Sequence, residues 1–142
     1  MDLLKKVFLA DDDQDDQELF QHALKEIDSS ITCEIARNGF ETIEMLKGRK
    51  VLPDVIFLDL NMPLMNGFEC LSKLKNDALL SMLPVVIFTT TKNPVEVQAT
   101  HQLGANVFLT KPSTMQELRS KLERILRIDF KTGIGAFKQY SV

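Results

Sequence analysis

Short runs of apolar residues recur along the chain, and most of them end in a cluster of polar residues. Such runs, bounded by polar or turn residues, are typical of β-strands. Most are continuous, which favours central strands of a parallel sheet that are buried on both faces. In the second run, Cys33 and Ile35 alternate with polar residues, which favours a half-buried edge strand. The predicted strands are Leu4–Ala10, Ile31–Ala36, Val55–Leu58, Val85–Phe88 and Asn106–Leu109.

Between these strands, apolar residues fall at the spacing of amphipathic helices. Asn93-Pro94 is a start signal for the fourth helix, because proline is favoured at the first helical position. Ser113, followed three positions later by Gln116, predicts a capping box at the fifth helix. The predicted helices are Gln14–Ile27, Phe40–Lys47, Phe68–Lys75, Val95–Leu103 and a last helix with an apolar stripe from Met115 to Leu126.

Strand and helix alternate five times, which predicts an α/β fold. We expect a doubly wound, five-stranded parallel sheet with helices on both faces. Right-handed crossovers and an edge position for the second strand favour the strand order 2-1-3-4-5. Residues 4–128 are predicted to form this domain, and residues 129–142 a tail without an output domain. The apolar residues of the tail, which could pack on the domain or on a partner, are Phe130, Ile134, Phe137 and Tyr140.

The composition excludes several classes of function. A net charge of −3 gives no electrostatic reason for binding to nucleic acid or to an anionic membrane. No apolar stretch approaches the roughly 18 to 20 residues that span a bilayer, and Met1–Lys6 lacks the layout of a signal peptide. We therefore expect a cytoplasmic protein. Cys33 and Cys70 lack a metal-binding or redox spacing and are interpreted as reduced structural thiols.

Chemically reactive residues follow four of the predicted strands. Because the carboxyl ends of parallel strands lie at one edge of the sheet, these residues should meet there. Clustered carboxylates repel one another unless a hard cation such as Mg²⁺ lies among them. Each residue alone could belong to a solvated helix start or an exposed surface, but the agreement of four strand ends favours a site. The residues are Asp11 and Asp12 after the first strand, Asp59 after the third, Thr89 after the fourth and Lys111 after the fifth.

Magnesium, an ammonium group and a hydroxyl group around one carboxylate are what in-line phosphoryl transfer needs. The cations would neutralise the oxygens of the transferring group, and the carboxylate of Asp59 would attack as the nucleophile. The carboxylate at Asp13 is interpreted as a helix cap rather than part of this site.

These residues resemble the signature of the receiver domains of two-component response regulators, over about residues 6–127. The acidic pair after the first strand matches, as do Asp59-Leu60-Asn61-Met62-Pro63 with Gly67, Thr89, and Lys111-Pro112. The acidic stretch 11–16 and the tail also resemble the stand-alone receivers related to phytochrome-associated regulators.

The resemblance implies a role for each matching position. Asp59 would be the phosphoryl acceptor, and Thr89 and Lys111 would contact the phosphoryl group. Phe108 would be the switch aromatic and would turn inward behind Thr89 on phosphorylation. Thr90 stands where the family usually has a smaller residue, which leaves the phosphoryl lifetime open. The implied magnesium ligands are Asp11, directly or through water, Asp12, Asp59 and the backbone carbonyl of Asn61.

The resemblance therefore implies a single-domain response regulator, a signalling module that catalyses its own phosphorylation and dephosphorylation. The donor would be a histidine kinase, which could be hybrid or phytochrome-type, or a phosphotransfer protein. The output would be contact with a downstream protein through the face of the fourth helix, fifth strand and fifth helix, with a homodimer through the same face as a further possibility.

Two other functions fit the same topology less well. A flavin-binding electron carrier needs a loop after the first strand that cradles a phosphate, but here that loop is rich in aspartate and would repel one. A receiver-shaped scaffold that is never phosphorylated would not need the complete set of site residues.

Overall fold

The computed structural model describes residues 2–131 and 137–140. Its core is a parallel sheet in the order β2-β1-β3-β4-β5-β6, in which every neighbouring pair of strands is parallel. The predicted α/β class, the helices on both faces and the order 2-1-3-4-5 are confirmed, but the sheet has six strands rather than five. The strands are β1 Lys6–Ala10, β2 Thr32–Ala36, β3 Val55–Leu58, β4 Val85–Thr89, β5 Val107–Thr110 and β6 Lys138–Tyr140.

In the described part of the chain, five α-helices connect or follow the strands, and each predicted helix is present. The Asp13 side chain caps α1 by accepting from the Asp16 backbone N–H, as expected. The cap of α5 is Thr114, which accepts from the Glu117 N–H, so the capping box predicted one residue earlier is wrong. The helices are α1 Gln14–Ile27, α2 Gly39–Leu46, α3 Gly67–Lys75, α4 Pro94–Gln102 and α5 Met115–Leu126, with a short 3-10 turn at Leu80–Met82.

The central strands are buried on both faces because each face of the sheet carries its own core cluster. One cluster includes Phe8 and Phe108 with residues of α2, α3 and α4. The other joins the sheet to α1 and α5, and its aromatic centre is formed by Phe20, Phe57 and Phe88. The rings of Phe20 and Phe57 meet edge-on with centroids 5.0 Å apart, a favourable aromatic geometry. Two independent cores therefore hold the carboxyl edge of the sheet in place.

The sixth strand comes from the segment predicted as a tail. β6 pairs with the free edge of β5, and the ring of Phe137 just before it stacks on His101 of α4 with centroids 4.4 Å apart. On the other side of the sheet, Tyr140 lies beneath the cationic groups of Lys121 and Arg124 on α5. Of the other two apolar residues named from the tail, Phe130 packs against the core cluster that joins the sheet to α1 and α5, and Ile134 lies outside the described residues.

The fold also bears on the cysteines and on the membrane. Cys33 and Cys70 are both free thiols, and burial raises the pKa of each to about 12. In the stretches that the structure describes, no helix combines the length and apolarity needed to cross a membrane.

Candidate functional site

Asp59 immediately follows β3, and its side chain is almost completely buried. Its backbone N–H donates to the carbonyl of Ala10 at 2.9 Å, which holds it beside the end of β1. Oδ1 accepts a hydrogen bond from the Asn61 backbone N–H at 3.1 Å, and Oδ2 accepts one from Lys111 Nζ at 2.9 Å. The ends of β1, β3 and β5 are thus joined around one carboxylate.

The acidic pair after β1 consists of one buried and one exposed carboxylate. Asp11 has no exposed surface, whereas Asp12 is exposed. Burial raises the pKa of Asp11 to about 6, and the charge of Asp59 adds to this rise. The hydrogen bond from the Asp13 N–H and the ammonium group of Lys111 act in the opposite direction. The ionised form of such a buried carboxylate is stabilised by a cation in direct contact with it.

Three carboxylates lie close enough to share such a cation. One oxygen each of Asp11, Asp12 and Asp59 can be chosen so that all lie within 4.8 Å of one another. Asp11 Oδ2 is buried and, within the described part of the chain, accepts no well-directed hydrogen bond. Oxygen ligands of this kind fit Mg²⁺, which usually keeps several waters and takes one or two carboxylates. The fourth predicted ligand, the carbonyl of Asn61, belongs to the same loop and remains a prediction.

Lys111 lies immediately after β5, and only 11% of its side chain is exposed. Its Nζ is 2.9 Å from Asp59 Oδ2, 2.9 Å from Asp11 Oδ2 and 2.7 Å from Asp16 Oδ2. The ring of Phe88 lies beneath it, with Nζ 5.3 Å from the ring centroid. Burial lowers the pKa of Lys111, but the contacts with these carboxylates outweigh it and hold the pKa above its ordinary value. Lys111 is therefore a permanent positive charge in the site.

Asp16 is the site residue that the sequence did not predict. It lies in the first turn of α1, where negative charge is favourable in any case, so its local sequence pattern does not distinguish it from its neighbours. The signal that could have identified it is positional: α1 begins at the carboxyl edge of the sheet, so its first turn stands beside the strand ends. The described structure brings Asp16 onto the same ammonium group as Asp11 and Asp59.

Thr89 ends β4, and its hydroxyl group is buried without a hydrogen-bond partner among the described residues. The Lys111 N–H donates to the Thr89 carbonyl at 2.7 Å, so the two residues are linked through their backbones. Phe108 is completely buried in this structure, and its inward turn on phosphorylation remains a prediction. Thr90 is exposed beside the site. The unpaired hydroxyl of Thr89 is available to an oxygen that enters the site.

The loop after Asp59 depends on close backbone packing. The Gly67 N–H donates to the Leu60 carbonyl at 3.0 Å, and a Cβ at position 67 would lie 2.3 Å from the Asp59 carbonyl oxygen. Leu64 in the same loop has a φ of 67°, which is uncommon for a residue with a side chain. Gly67 therefore lets the start of α3 approach the backbone of Asp59 and Leu60 closely.

Comparison with known proteins places the residues of this site in a known protein family. The family model of the response regulator receiver domain matches residues 7–123. The response regulator Rcp1 of Synechocystis is 31% identical over 126 residues, covering 85% of this chain and 86% of Rcp1.

Solved structures give the same result. The phosphorylated cyanobacterial phytochrome response regulator RcpA has a TM-score of 0.79 and 31% identity, with 86% of this chain and 91% of RcpA covered. The Mn²⁺-bound form of Rcp1 has a TM-score of 0.73 and 32% identity, with 87% and 96% covered. The chain belongs to the response regulator receiver domains, the CheY-like signalling proteins of two-component systems, and resembles the phytochrome-associated regulators among them.

Proposed function

We propose that this chain acts in the cytoplasm as a phosphorylation-controlled signalling module whose acceptor is Asp59. The observation that carries the proposal is the arrangement of three groups around one buried position. The Asp59 carboxylate is held by Lys111 at 2.9 Å, and the buried hydroxyl of Thr89, within the described residues, has no partner of its own.

The reaction needs few protein groups. A carboxylate oxygen of Asp59 attacks the phosphorus of a phosphohistidine, a new O–P bond forms, and the N–P bond breaks with its electron pair returning to the imidazole. Lys111 and the Thr89 hydroxyl donate hydrogen bonds to the oxygens of the transferring group, which stabilises the charge that they carry. Magnesium held by Asp11, Asp12, Asp59 and the Asn61 carbonyl would supply the remaining positive charge.

Dephosphorylation is hydrolysis of the acyl phosphate: a water oxygen attacks the phosphorus, the bond between phosphorus and the Asp59 oxygen breaks, and inorganic phosphate leaves while the carboxylate is restored. Because Asp59 is nearly buried, water must approach from the open edge of the sheet, where Thr90 is exposed. The bulk and hydroxyl group of Thr90 stand beside this approach and would influence the phosphoryl lifetime. In this account the chain catalyses both its own phosphorylation and its own dephosphorylation.

Output would follow from changes at the face formed by α4, β5 and α5. In the structure this face includes β6, because Phe137 packs on α4 and Tyr140 lies against α5. A downstream protein or a second copy of the chain would therefore meet a surface to which residues 137–140 contribute. Movement of Thr89 would reach this face through β5, to which its strand is paired.

A phosphotransfer assay with a histidine kinase of the source organism tests the function. The kinase is first labelled with radioactive ATP, the remaining ATP is removed, and the receiver is added with Mg²⁺. Label should move from the kinase to the wild-type chain and not to Asp59→Asn. A receiver-shaped scaffold would leave the label on every kinase tested, and transfer to Asp59→Asn would assign the acceptor to another residue.

A structure of a related protein supports the proposal that a divalent cation binds to this chain. The Mn²⁺-bound form of Rcp1 is similar in fold and sequence to this chain, and the acidic trio that would bind the ion is brought together here. Titration with Mn²⁺, followed by paramagnetic broadening of the amide signals of Asp12, Asp59 and Asn61, would locate the ion without any phosphorylation.

A further inference from the structure

The strongest unexplained feature of the site is that one ammonium group serves three carboxylates. Lys111 Nζ has three N–H donors, and three carboxylate oxygens lie within 2.9 Å of it. The shortest of these contacts is with Asp16, at 2.7 Å. Asp16 and Asp59 accept hydrogen bonds from Lys111, and Asp11 lies in ion-pair contact with it. A phosphoryl oxygen that binds Lys111 therefore competes with the carboxylates that already surround it.

Asp16 is the carboxylate best placed to be replaced. Asp11 and Asp59 belong to the trio that could share a metal ion, whereas Asp16 is not part of that group. Its side chain is 32% exposed, compared with 0% for Asp11 and 8% for Asp59, so water can take over its hydrogen bond most easily. Its backbone is fixed in the first turn of α1, where its N–H donates to the Asp13 side chain.

We propose, on the basis of the proposed function above, that Asp16 is a positioning residue that retains Lys111 against α1 and competes with the incoming phosphoryl group for it. In this arrangement Lys111 exchanges Asp16 for a phosphoryl oxygen when Asp59 is modified. Asp16 thereby sets how readily the site accepts an anion, without touching the transferring atoms itself.

The competition predicts an unusual direction for the effect that removing the Asp16 carboxylate has on anion binding. Removing a group that positions a reactive lysine would ordinarily weaken the site, but here it should strengthen anion binding. Asp16→Asn weakens the hydrogen bond from Lys111, because an amide oxygen carries no full negative charge, and it removes a negative charge beside the anion. We expect half-saturation by beryllofluoride, a mimic of the phosphoryl group, at a concentration about two- to fivefold lower, which is the range expected for a partly exposed ion pair.

Asp15→Asn is the matched control, because Asp15 is exposed in the same helical turn and carries the same charge. The two variants differ from wild type by the same net charge, so any difference between them reports the direct contact with Lys111. Asp16→Ser is measured in parallel, so that a folding defect in one variant does not remove the test.

The experiment has two readouts. Beryllofluoride is titrated at saturating Mg²⁺ by amide NMR, and the side-chain ammonium signal of Lys111 is recorded in chelator. Asp16→Asn should bind beryllofluoride more tightly than Asp15→Asn and should broaden the Lys111 signal through faster exchange with water. Equal affinities in the two variants, weaker binding in Asp16→Asn, or an unchanged Lys111 signal would each overturn the proposal.

Failure of the proposed function gives a different result. If wild type binds no beryllofluoride although it binds Mg²⁺, the acceptor role of Asp59 is contradicted. The Lys111 signal in chelator would then still decide whether Asp16 retains the ammonium group.

Discussion

Gln139 of β6 lies opposite Phe108 of β5 in a parallel register. Phe137, which precedes β6, packs against the core cluster that contains Phe108. The segment predicted as a tail therefore lies alongside the strand that carries Phe108, the predicted switch residue.

The first prediction concerns the packing of Phe137 beside β6. Phe137→Ala should remove the stacking on His101 and loosen β6, because the strand has only three residues and Phe137 packs at its start. Amides of β5 and β6 should exchange with solvent about fivefold faster or more, which corresponds to roughly 1 kcal/mol of local opening. Hydrogen exchange measured by NMR checks this. Lys138→Ala, at an exposed position of the same strand, is the control and should change little.

The second prediction concerns the loop after the acceptor. Gly67→Ala places a Cβ against the Asp59 carbonyl oxygen, so backbone must move, at about 1–3 kcal/mol. Gly48→Ala is the matched control, because Gly48 has a φ of 75° and no neighbour within 4 Å of an added Cβ. Its cost should also be about 1–2 kcal/mol, from backbone strain alone.

The two glycine variants should therefore have similar free energies of unfolding but different affinities for Mg²⁺. We expect calorimetric titration to show Mg²⁺ binding weakened in Gly67→Ala and unchanged in Gly48→Ala. Equal Mg²⁺ affinity in both would contradict the role given to the loop.

The third prediction concerns Asp12. Asp12→Ala removes an exposed carboxylate and relieves repulsion within the acidic cluster. In chelator, the free energy of unfolding should stay within about 0.5 kcal/mol of wild type or rise slightly, while phosphorylation should be abolished. Urea unfolding and a phosphorylation assay check the two parts, with Asp15→Ala as a control for the lost charge. A variant that unfolds, or that accepts phosphate normally, would exclude the metal role of Asp12.

The fourth prediction uses the raised pKa of Asp11. Its pKa is about 6 in the fold against an ordinary 3.8, so the native state binds this proton more tightly than the unfolded chain. The stabilisation is complete below the unfolded pKa and is lost as the pH rises through the folded pKa. Without a metal ion, wild type should lose up to about 3 kcal/mol relative to Asp11→Asn over this range.

Urea unfolding in chelator at several pH values between 3.8 and about 6 measures this difference. Mg²⁺ should reverse the trend in wild type, because the cation replaces the proton on Asp11, and should do so less in Asp11→Asn. Parallel stability curves for the two proteins in chelator would show that Asp11 is not buried as a protonated acid.

Much of the fold could be predicted from the sequence because the signals are local. The continuous apolar strand Val55–Leu58 and the Asn93-Pro94 helix start each depend on neighbouring residues only. The proximity of Asp11, Asp59 and Lys111 could be predicted because the carboxyl ends of parallel strands lie at one edge of the sheet. Their chemical roles remain predictions, since proximity alone does not establish them.

The features that sequence reasoning missed depend on contacts between distant segments. β6 has three residues, and it lies against β5 where Phe137 stacks on His101 of α4 and Tyr140 contacts Arg124 of α5. Asp16 meets Lys111 from a position 95 residues away in the chain, and its local pattern indicated no more than a favourable helix start.

The central claim is that Asp59 is phosphorylated by its own site with the help of a divalent cation. Lys111 and the metal would provide the positive charge whichever donor arrives, so acetyl phosphate should suffice without a kinase. The most direct measurement is intact-mass spectrometry after incubation with acetyl phosphate, with Mg²⁺ or with chelator. The account predicts one phosphoryl group on wild type with Mg²⁺, and none in chelator or on Asp59→Asn. An adduct that persists on Asp59→Asn, or that forms equally well in chelator, would contradict it.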